Sequence, residues 1–463
     1  MAPKFGTSGL RGLVTELTLE CVSDHVRAFI ATCPVGNGLF VGHDLRASSP
    51  DIAEMVMQSG RAAGLQVTLC GSVPTPALAL AAMRADAAAI MITGSHIPAD
   101  RNGLKFYTPE GEITKTHEMA IQGALGQKYP ELDGPPAQRD ETAAAAYIAR
   151  YTDAYGTALS GRRIGLYAHS AVGRDLMADL FGALGAEVII LGRSDSFIPV
   201  DTEAVSPELR QDLRDWADKH QCDAIISTDG DGDRPLVADA KGHVIVGDVL
   251  GQIAAQTLGA EVVVTPISSN TGVELGARFK DIVRTRIGSP YVIAGMATAL
   301  GQVVGYEANG GFLLGFEAQG PAGPIAPLMT RDAILPVVAA LVAADDKGLA
   351  DRVAEEPARF TAADRLQEVP MQTSRDFVQI LCDSTTARAA FLAQLDGTEA
   401  AYNQTDGPRM TLVDGRIVHV RPSGNAPELR LYVEADRPDV AETTLRRGLD
   451  IISTRIHAKS VEI

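Results

Sequence analysis

The chain has few of the features that would tie it to an oxidising compartment, to nucleic acid or to a bilayer. Its five cysteines, Cys21, Cys33, Cys70, Cys222 and Cys382, are scattered, odd in number and never spaced as Cys-x-x-Cys. That argues against a disulfide framework or a thiolate metal site, and reduced, mostly buried thiols are expected. No Lys/Arg run of useful length occurs, and 58 acidic against 41 basic residues leave a formal charge of -17. Nucleic-acid binding needs a concentrated positive surface, so no such partner is expected, although a few arginines in a cleft can still hold a small anion. The first residues show no apolar signal stretch. The apolar runs elsewhere are too short or too broken to span a bilayer, so a cytoplasmic protein without membrane contact is expected.

What remains is a globular balance. The 463 residues are 46% hydrophobic and 21% charged, too many for one ordinary core, and two to four domains are expected. Helices over 21–32, 51–63 and 77–83 alternate with strands at 38–42, 65–69 and 87–92. After an alanine-rich helical connector near 140–155, strands at 163–168, 187–191 and 223–228 alternate with helices at 173–181 and 206–220. A third round opens with a helix at 249–258 and a strand at 261–266. Beyond residue 364 the texture changes to a helix at 385–395, then strands at 409–413 and 417–421 around Asp414-Gly415, and a strand at 429–434. The expected fold is α/β: three tandem related α/β domains, 1–140, 141–245 and 246–364, plus a smaller C-terminal α+β domain, 365–463. A connector that serves as a hinge is expected at 362–370.

Several turns carry chemistry. The apolar run Ala87–Ile92 ends in Thr93-Gly94-Ser95-His96-Ile97-Pro98, where a sharp turn leaves a serine hydroxyl exposed. Ser95 is a candidate nucleophile or phosphate carrier, with His96 and Lys105 close in sequence. Asp229, Asp231 and Asp233 alternate with glycines after a strand and can converge on one hard cation, best Mg2+, or form a solvated acidic turn. As a solvent-facing loop this segment is expected to add little to the core. Arg234 follows as a candidate phosphate contact. The glycine-rich opening at 6–12 either brings Arg11 to an anion or is plain loop, and Arg46, Ser48 and Ser49 repeat the pairing of a base with hydroxyls. Residues 71–76 read as a rigid structural turn. Glu307 and Asn309 can hold adjacent sugar hydroxyls or sit in a generic turn. Arg421, Ser423, Gly424, Asn425 and Arg430 supply the inventory for a phosphate monoester, or for a salt-bridged surface turn. His43, His169 and His243 lack metal-ligand spacing and read as loop histidines.

Taken in order, FGTSGLRG at 5–12, VGHDLRASS at 41–49, PTP at 74–76, TGSHIPADRNGLKFY at 93–107, DGDGDR at 229–234, RTRIG at 284–288, GYEANGG at 305–311 and RPSGNAPELR at 421–430 resemble the α-D-phosphohexomutase family, in its phosphomannomutase/phosphoglucomutase branch. The resemblance implies four domains around a central active-site cleft, Ser95 carried as phosphoserine, and Mg2+ bound by that phosphate and by Asp229, Asp231 and Asp233. It assigns sugar recognition to the loop of Glu307 and Asn309, and phosphate binding to the loop from Arg421 to Arg430. Phospho-Ser95 would pass its phosphoryl group to a hexose 1- or 6-phosphate, and the hexose 1,6-bisphosphate would turn round and return its other phosphate. His96 and Lys105 are then the proton-transfer candidates, and Arg11 and Arg234 stabilise the transferring charge. The implied protein is an isomerase of carbohydrate metabolism, a monomer or homodimer whose partners are small sugar phosphates.

Two departures stand out. Many family members read Glu-x-Ser-Gly-His in the sugar loop, where this chain has Gly311 in place of the histidine. In the phosphate loop, where Ser-Gly-Thr-Glu-Pro is usual, Asn425 replaces threonine and Ala426 replaces glutamate. Mannose phosphate is the expected substrate, glucose phosphate a further one, and phosphoglucomutase or phosphoglucosamine mutase the alternatives. From other classes stand a non-catalytic sugar-phosphate-binding protein and a metal-dependent phosphatase with Asp229 as nucleophile, which would leave Ser95 idle.

Overall fold

The computed structural model describes residues 3–6, 9–423 and 427–460, the side chains of 457–460 excepted. The chain divides into two compact units, Met1–Val264 with Phe279–Val283 and Gly288–Glu355, and Thr265–Arg278 with Arg284–Ile287 and Glu356–Ile463.

The first unit is organised by three mixed sheets. The central strands Ala88–Ile92, Ala224–Thr228 and Val303–Tyr306 are buried at every position. Strands covered on both faces read as continuous apolar runs, which is why the sequence reveals the first two; the third, four residues long with Gly305 inside it, offers too short a run. Each lies beside a parallel neighbour: Leu39–His43, Arg163–Tyr167 and Val262–Pro266 respectively. On its other side each meets the strand that follows it in the chain, now antiparallel: Arg101–Thr108, Pro235–Asp239 and Phe312–Leu314. The three turns between these pairs are the Ser95 loop, the Asp229–Arg234 loop and the Glu307–Gly311 loop. The same corner of a repeated sheet thus supplies three of the segments singled out above.

Helices end where local chemistry dictates. Thr18 accepts from the Cys21 N–H at the start of Leu19–Thr32, whose Val22, Val26 and Phe29 face the core. Ser206 accepts from the Leu209 N–H before Pro207, and the left-handed Gln221 closes Pro207–His220.

The second unit holds an antiparallel sheet in the order Phe360–Leu366, Leu429–Ala435, Ile417–Pro422, Arg409–Leu412, Glu399–Asn403. The helices Met371–Asp383, Thr385–Ala393 and Pro438–Ser460 belong to the same unit, whose core includes Phe377, Phe391, Met410, Leu431 and Ile452. The expected connector at 362–370 is corrected here. Its first half is strand, paired with Leu429–Ala435 from Phe360↔Ala435 to Leu366↔Leu429. This edge strand is mostly exposed and carries no apolar alternation, so its sequence looks like a linker. All five cysteines are free, and among the described residues no helix is long and apolar enough to cross a membrane.

Candidate active site

Ser95 stands on the first corner with a left-handed backbone, φ 53°, a conformation a non-glycine residue adopts only when its surroundings hold it there. Its N–H donates to Thr93 Oγ1 at 2.8 Å. The larger clamp is Arg46, whose guanidinium donates to the carbonyls of Ser95 (3.0 Å), Ile97 (2.6 Å), Pro98 (2.7 Å) and Arg101 (2.9 Å). Asp44 pairs with Arg46 at 3.2 Å and accepts from Ser49 and Thr93. The Arg46–Ser49 segment therefore builds the serine loop. Gly94 is required beneath it, since a Cβ there would lie 2.6 Å from the Arg46 Cζ.

The second corner is not solvent-facing, which corrects the sequence expectation: Asp229, Asp231 and Asp233 are fully buried, because the serine loop and the turn at Pro74 pack over them. Ser95 Oγ donates to Asp229 Oδ2 at 2.5 Å. Lys105 Nζ, on the strand after the serine loop, donates to Asp231 Oδ2 and Asp233 Oδ2 at 2.5 Å each. Thr75, in the turn read as purely structural, donates its hydroxyl to Asp231 Oδ2 at 2.5 Å and its N–H to the Asp231 carbonyl at 2.9 Å.

One oxygen from each aspartate lies within 4.8 Å of the others, and Oδ1 of both Asp231 and Asp233 has no hydrogen-bond partner. A hard, all-oxygen set with spare lone pairs fits a divalent cation such as Mg2+. Burial, then the neighbouring Asp231 and Asp233, pushes the Asp229 carboxyl well above the usual range. Burial acts on Asp231 in the same direction, but the Lys105 ammonium and the hydrogen bonds from Lys105 and Thr75 hold it well below.

His96 Nδ1 lies 3.2 Å from Ser95 Oγ and 3.3 Å from an Arg234 terminal nitrogen. A guanidinium cannot accept, so Nδ1 is the acceptor and the ring proton sits on Nε2. Burial, reinforced by Arg234, lowers the His96 pKa to about 3 and keeps the ring neutral. Arg11 shares this environment: desolvation, then the repulsion of Arg234, brings its pKa down to about 10.

The third corner places Glu307 5% exposed, with Oε2 lacking a hydrogen-bond partner, and burial raises its pKa. Asn309 Oδ1 accepts from the Gly311 N–H at 3.0 Å. Sequence reasoning missed Arg331, Glu112 and Asp332. Arg331, on the strand Leu328–Asp332, is 1% exposed and reaches Asp233 at 2.9 Å, Glu112 at 3.5 Å and Glu307 at 3.6 Å. Asp332 accepts from the hydroxyls of Tyr147 and Tyr151. No local pattern announces these groups, since their partners are far away in sequence. His169 is also no surface loop residue: it is fully buried, with its Nε2 2.9 Å from the Thr228 carbonyl that precedes the acidic loop.

In the second unit, Arg421 and Arg430 are paired across adjacent strands, and Arg365 faces Arg430 on the next. Like charges in one row repel, and the carboxylates nearby are Asp406, 3.5 Å from Arg421, and Glu428, 3.2 Å from Arg430. The Nε atoms of Arg421 and Arg430 are buried without hydrogen-bond partners. The Ser423 N–H donates to the Glu428 carbonyl at 3.0 Å. Gly424 and Asn425 lie outside the described residues.

The phosphoglucomutase/phosphomannomutase family matches the chain in four successive pieces: alpha/beta/alpha domain I at residues 2–130, domain II at 145–242, domain III at 242–360 and the C-terminal domain at 381–449. A phosphomannomutase of Sinorhizobium fredii is 44% identical over 98% of this chain and 99% of its own length. A phosphomannomutase of Salmonella muenchen is 42% identical over 98% of this chain and 96% of its own. In fold, the chain is similar to the crystal structure of a phosphoglucomutase/phosphomannomutase family protein from Burkholderia thailandensis, with a TM-score of 0.77 at 20% identity over 96% of this chain and 97% of that one.

Proposed function

This chain belongs to the phosphoglucomutase/phosphomannomutase family of phosphohexose mutases, and from that premise we propose that it interconverts hexose 6-phosphate and hexose 1-phosphate, mannose phosphate first and glucose phosphate as well, through phospho-Ser95 and a hexose 1,6-bisphosphate. The observation that carries the reading is the buried hydrogen bond from Ser95 Oγ to Asp229 at the mouth of three convergent carboxylates. A phosphatase using Asp229 as nucleophile has no need of that serine. The sugar preference rests on the relatives at 44% and 42% identity.

In the forward step the bond between phosphorus and Ser95 Oγ breaks, a bond to the free sugar hydroxyl forms, and the hydroxyl proton leaves to a neighbouring base. In the return step Ser95 Oγ gives up its proton and bonds to the phosphorus of the other phosphate, the bond from that phosphorus to the sugar oxygen breaks, and the sugar oxygen takes up a proton to become the free hydroxyl. His96, neutral and 3.2 Å from Ser95 Oγ, and Lys105 are the groups assigned to proton transfer. Arg11 and Arg234 oppose the charge on the transferring group. Asp229, Asp231 and Asp233 are the residues that would hold Mg2+ beside Ser95, and a cation bound there would supply charge neutralisation for the phosphoryl group and a better serine leaving group. Glu307 and Asn309 read the sugar hydroxyls. Arg421, Ser423, Gly424, Asn425 and Arg430 bind the phosphate that does not react.

Intact mass and substrate rates test this. One phosphoryl adduct is expected, absent in Ser95→Ala and removed by excess substrate, with turnover fastest on mannose 1-phosphate. An unmodified yet fully active enzyme overturns the phosphoserine, and a strong preference for glucosamine 1-phosphate overturns the sugar.

A further inference from the structure

Gly311 and Arg331 are steric complements. A Cβ at Gly311 would lie 2.9 Å from the Arg331 Cδ and 3.0 Å from its Cγ, so the arginine stem fills the space a side chain at 311 would need. The guanidinium placed there faces three carboxylates of unequal standing. Glu112 is an anchor with its own donors, the Ser289 hydroxyl at 2.7 Å and the Arg331 N–H at 3.2 Å. Asp233 already accepts from Lys105. Glu307 Oε2 has no hydrogen bond and depends on nearby positive charge, with an Arg331 terminal nitrogen 3.6 Å away. Arg331 Nε and the nitrogen beside Asp233 are buried with no aligned acceptor, so the contact to Asp233 is an ion pair with donors to spare.

Resting on the function proposed above, we propose that Arg331 is a positioning residue that joins the sugar loop to the cation site. It holds Glu307 in place for the sugar hydroxyls, it lowers the affinity of the aspartate cluster for a divalent cation by engaging Asp233, and Gly311 is the opening that admits it. The two effects have opposite signs. Loss of the guanidinium frees Asp233 and removes a repelling charge, which tightens cation binding, while Glu307 loses its counter-ion and sugar binding weakens.

Arg331→Met and Arg331→Lys, compared with wild type, read both signs: Mg2+ binding by calorimetry without substrate, and KM and kcat for mannose 1-phosphate. Arg331→Met is expected to bind Mg2+ about threefold more tightly and to raise KM about tenfold, with Arg331→Lys recovering part of the KM. A purely structural strut predicts that both affinities fall together; that result, or a KM within about twofold of wild type, overturns the inference. Should Arg331→Met fail to fold, Gly311→Ala displaces the same side chain and is expected to raise KM, and an unchanged KM there overturns the inference equally. A wild type without activity on any hexose phosphate refutes the mutase reading instead and leaves the shift in Mg2+ affinity as the test of the geometry.

Discussion

Asp231 Oδ2 takes two short hydrogen bonds in a site closed to water, from Lys105 and Thr75, so this residue works for the fold as well as for the chemistry. Asp231→Asn keeps the shape but removes the charge that the Lys105 ammonium faces. We expect the rate to fall about 100-fold and stability to fall by about 2–4 kcal/mol, read by steady-state kinetics and urea denaturation. An unchanged denaturation midpoint would show that the carboxylate carries no structural load. Excess chelator should abolish the activity of the wild type, and full activity in chelator would reject the cation site.

The serine loop, 93–100, has one polar anchor at its centre. Arg46 spreads its N–H groups over three loop carbonyls and that of Arg101 at the start of the next strand, which Lys cannot do, because an ammonium is a point charge with three donors on a flexible stem. Arg46→Lys preserves charge and still costs about 3–5 kcal/mol, because buried carbonyls lose their donors. Limited proteolysis is expected to move to the bonds near Ile97–Arg101, and kcat to fall with it; a variant as protease-resistant and as active as wild type would show that the loop is held some other way. Much of this element was legible in advance. Thr-Gly-Ser after a buried strand says turn, but the expected exposure of the serine hydroxyl is corrected: Ser95 is fully buried, because the acidic loop packs against it and Asp229 accepts from its Oγ. That the nucleophile's carbonyl rests on an arginine from another connection was not legible, since 49 positions separate them.

Across the whole molecule, histidines buried in their neutral form set a limit on acid stability. Burial lowers His169 and His419 to about 4 each, and each keeps a ring nitrogen on a backbone carbonyl. In the unfolded chain both titrate near their ordinary value of about 6.5. Between about 6.5 and 4 the unfolded state binds more protons, so stability is fully present above that range and is lost as pH falls through it. The loss amounts to about 2 kcal/mol per histidine between pH 6.5 and 5. Urea midpoints at pH 7 and pH 5 check this, and His169→Gln should flatten the dependence. An identical slope in that variant would remove His169 from the account.

The sequence by itself determined the alternation of helices and strands in the first two repeats and at the opening of the third, the turns that carry chemistry and the residue types in them. Strands buried on both faces must be apolar along their length, turns after them need glycine, and a cation needs hard oxygens, all of which are local requirements written in consecutive residues. It did not reveal the edge strand Phe360–Leu366, whose exposed face removes the pattern. It did not reveal that the acidic loop is buried, nor the role of Thr75, Glu112 or Arg331. Those depend on pairings between residues 156 and 219 positions apart, Thr75 with Asp231 and Glu112 with Arg331. Only tertiary structure decides such contacts, because a buried charge is tolerated wherever the fold brings it a partner, and nothing local says where that partner lies.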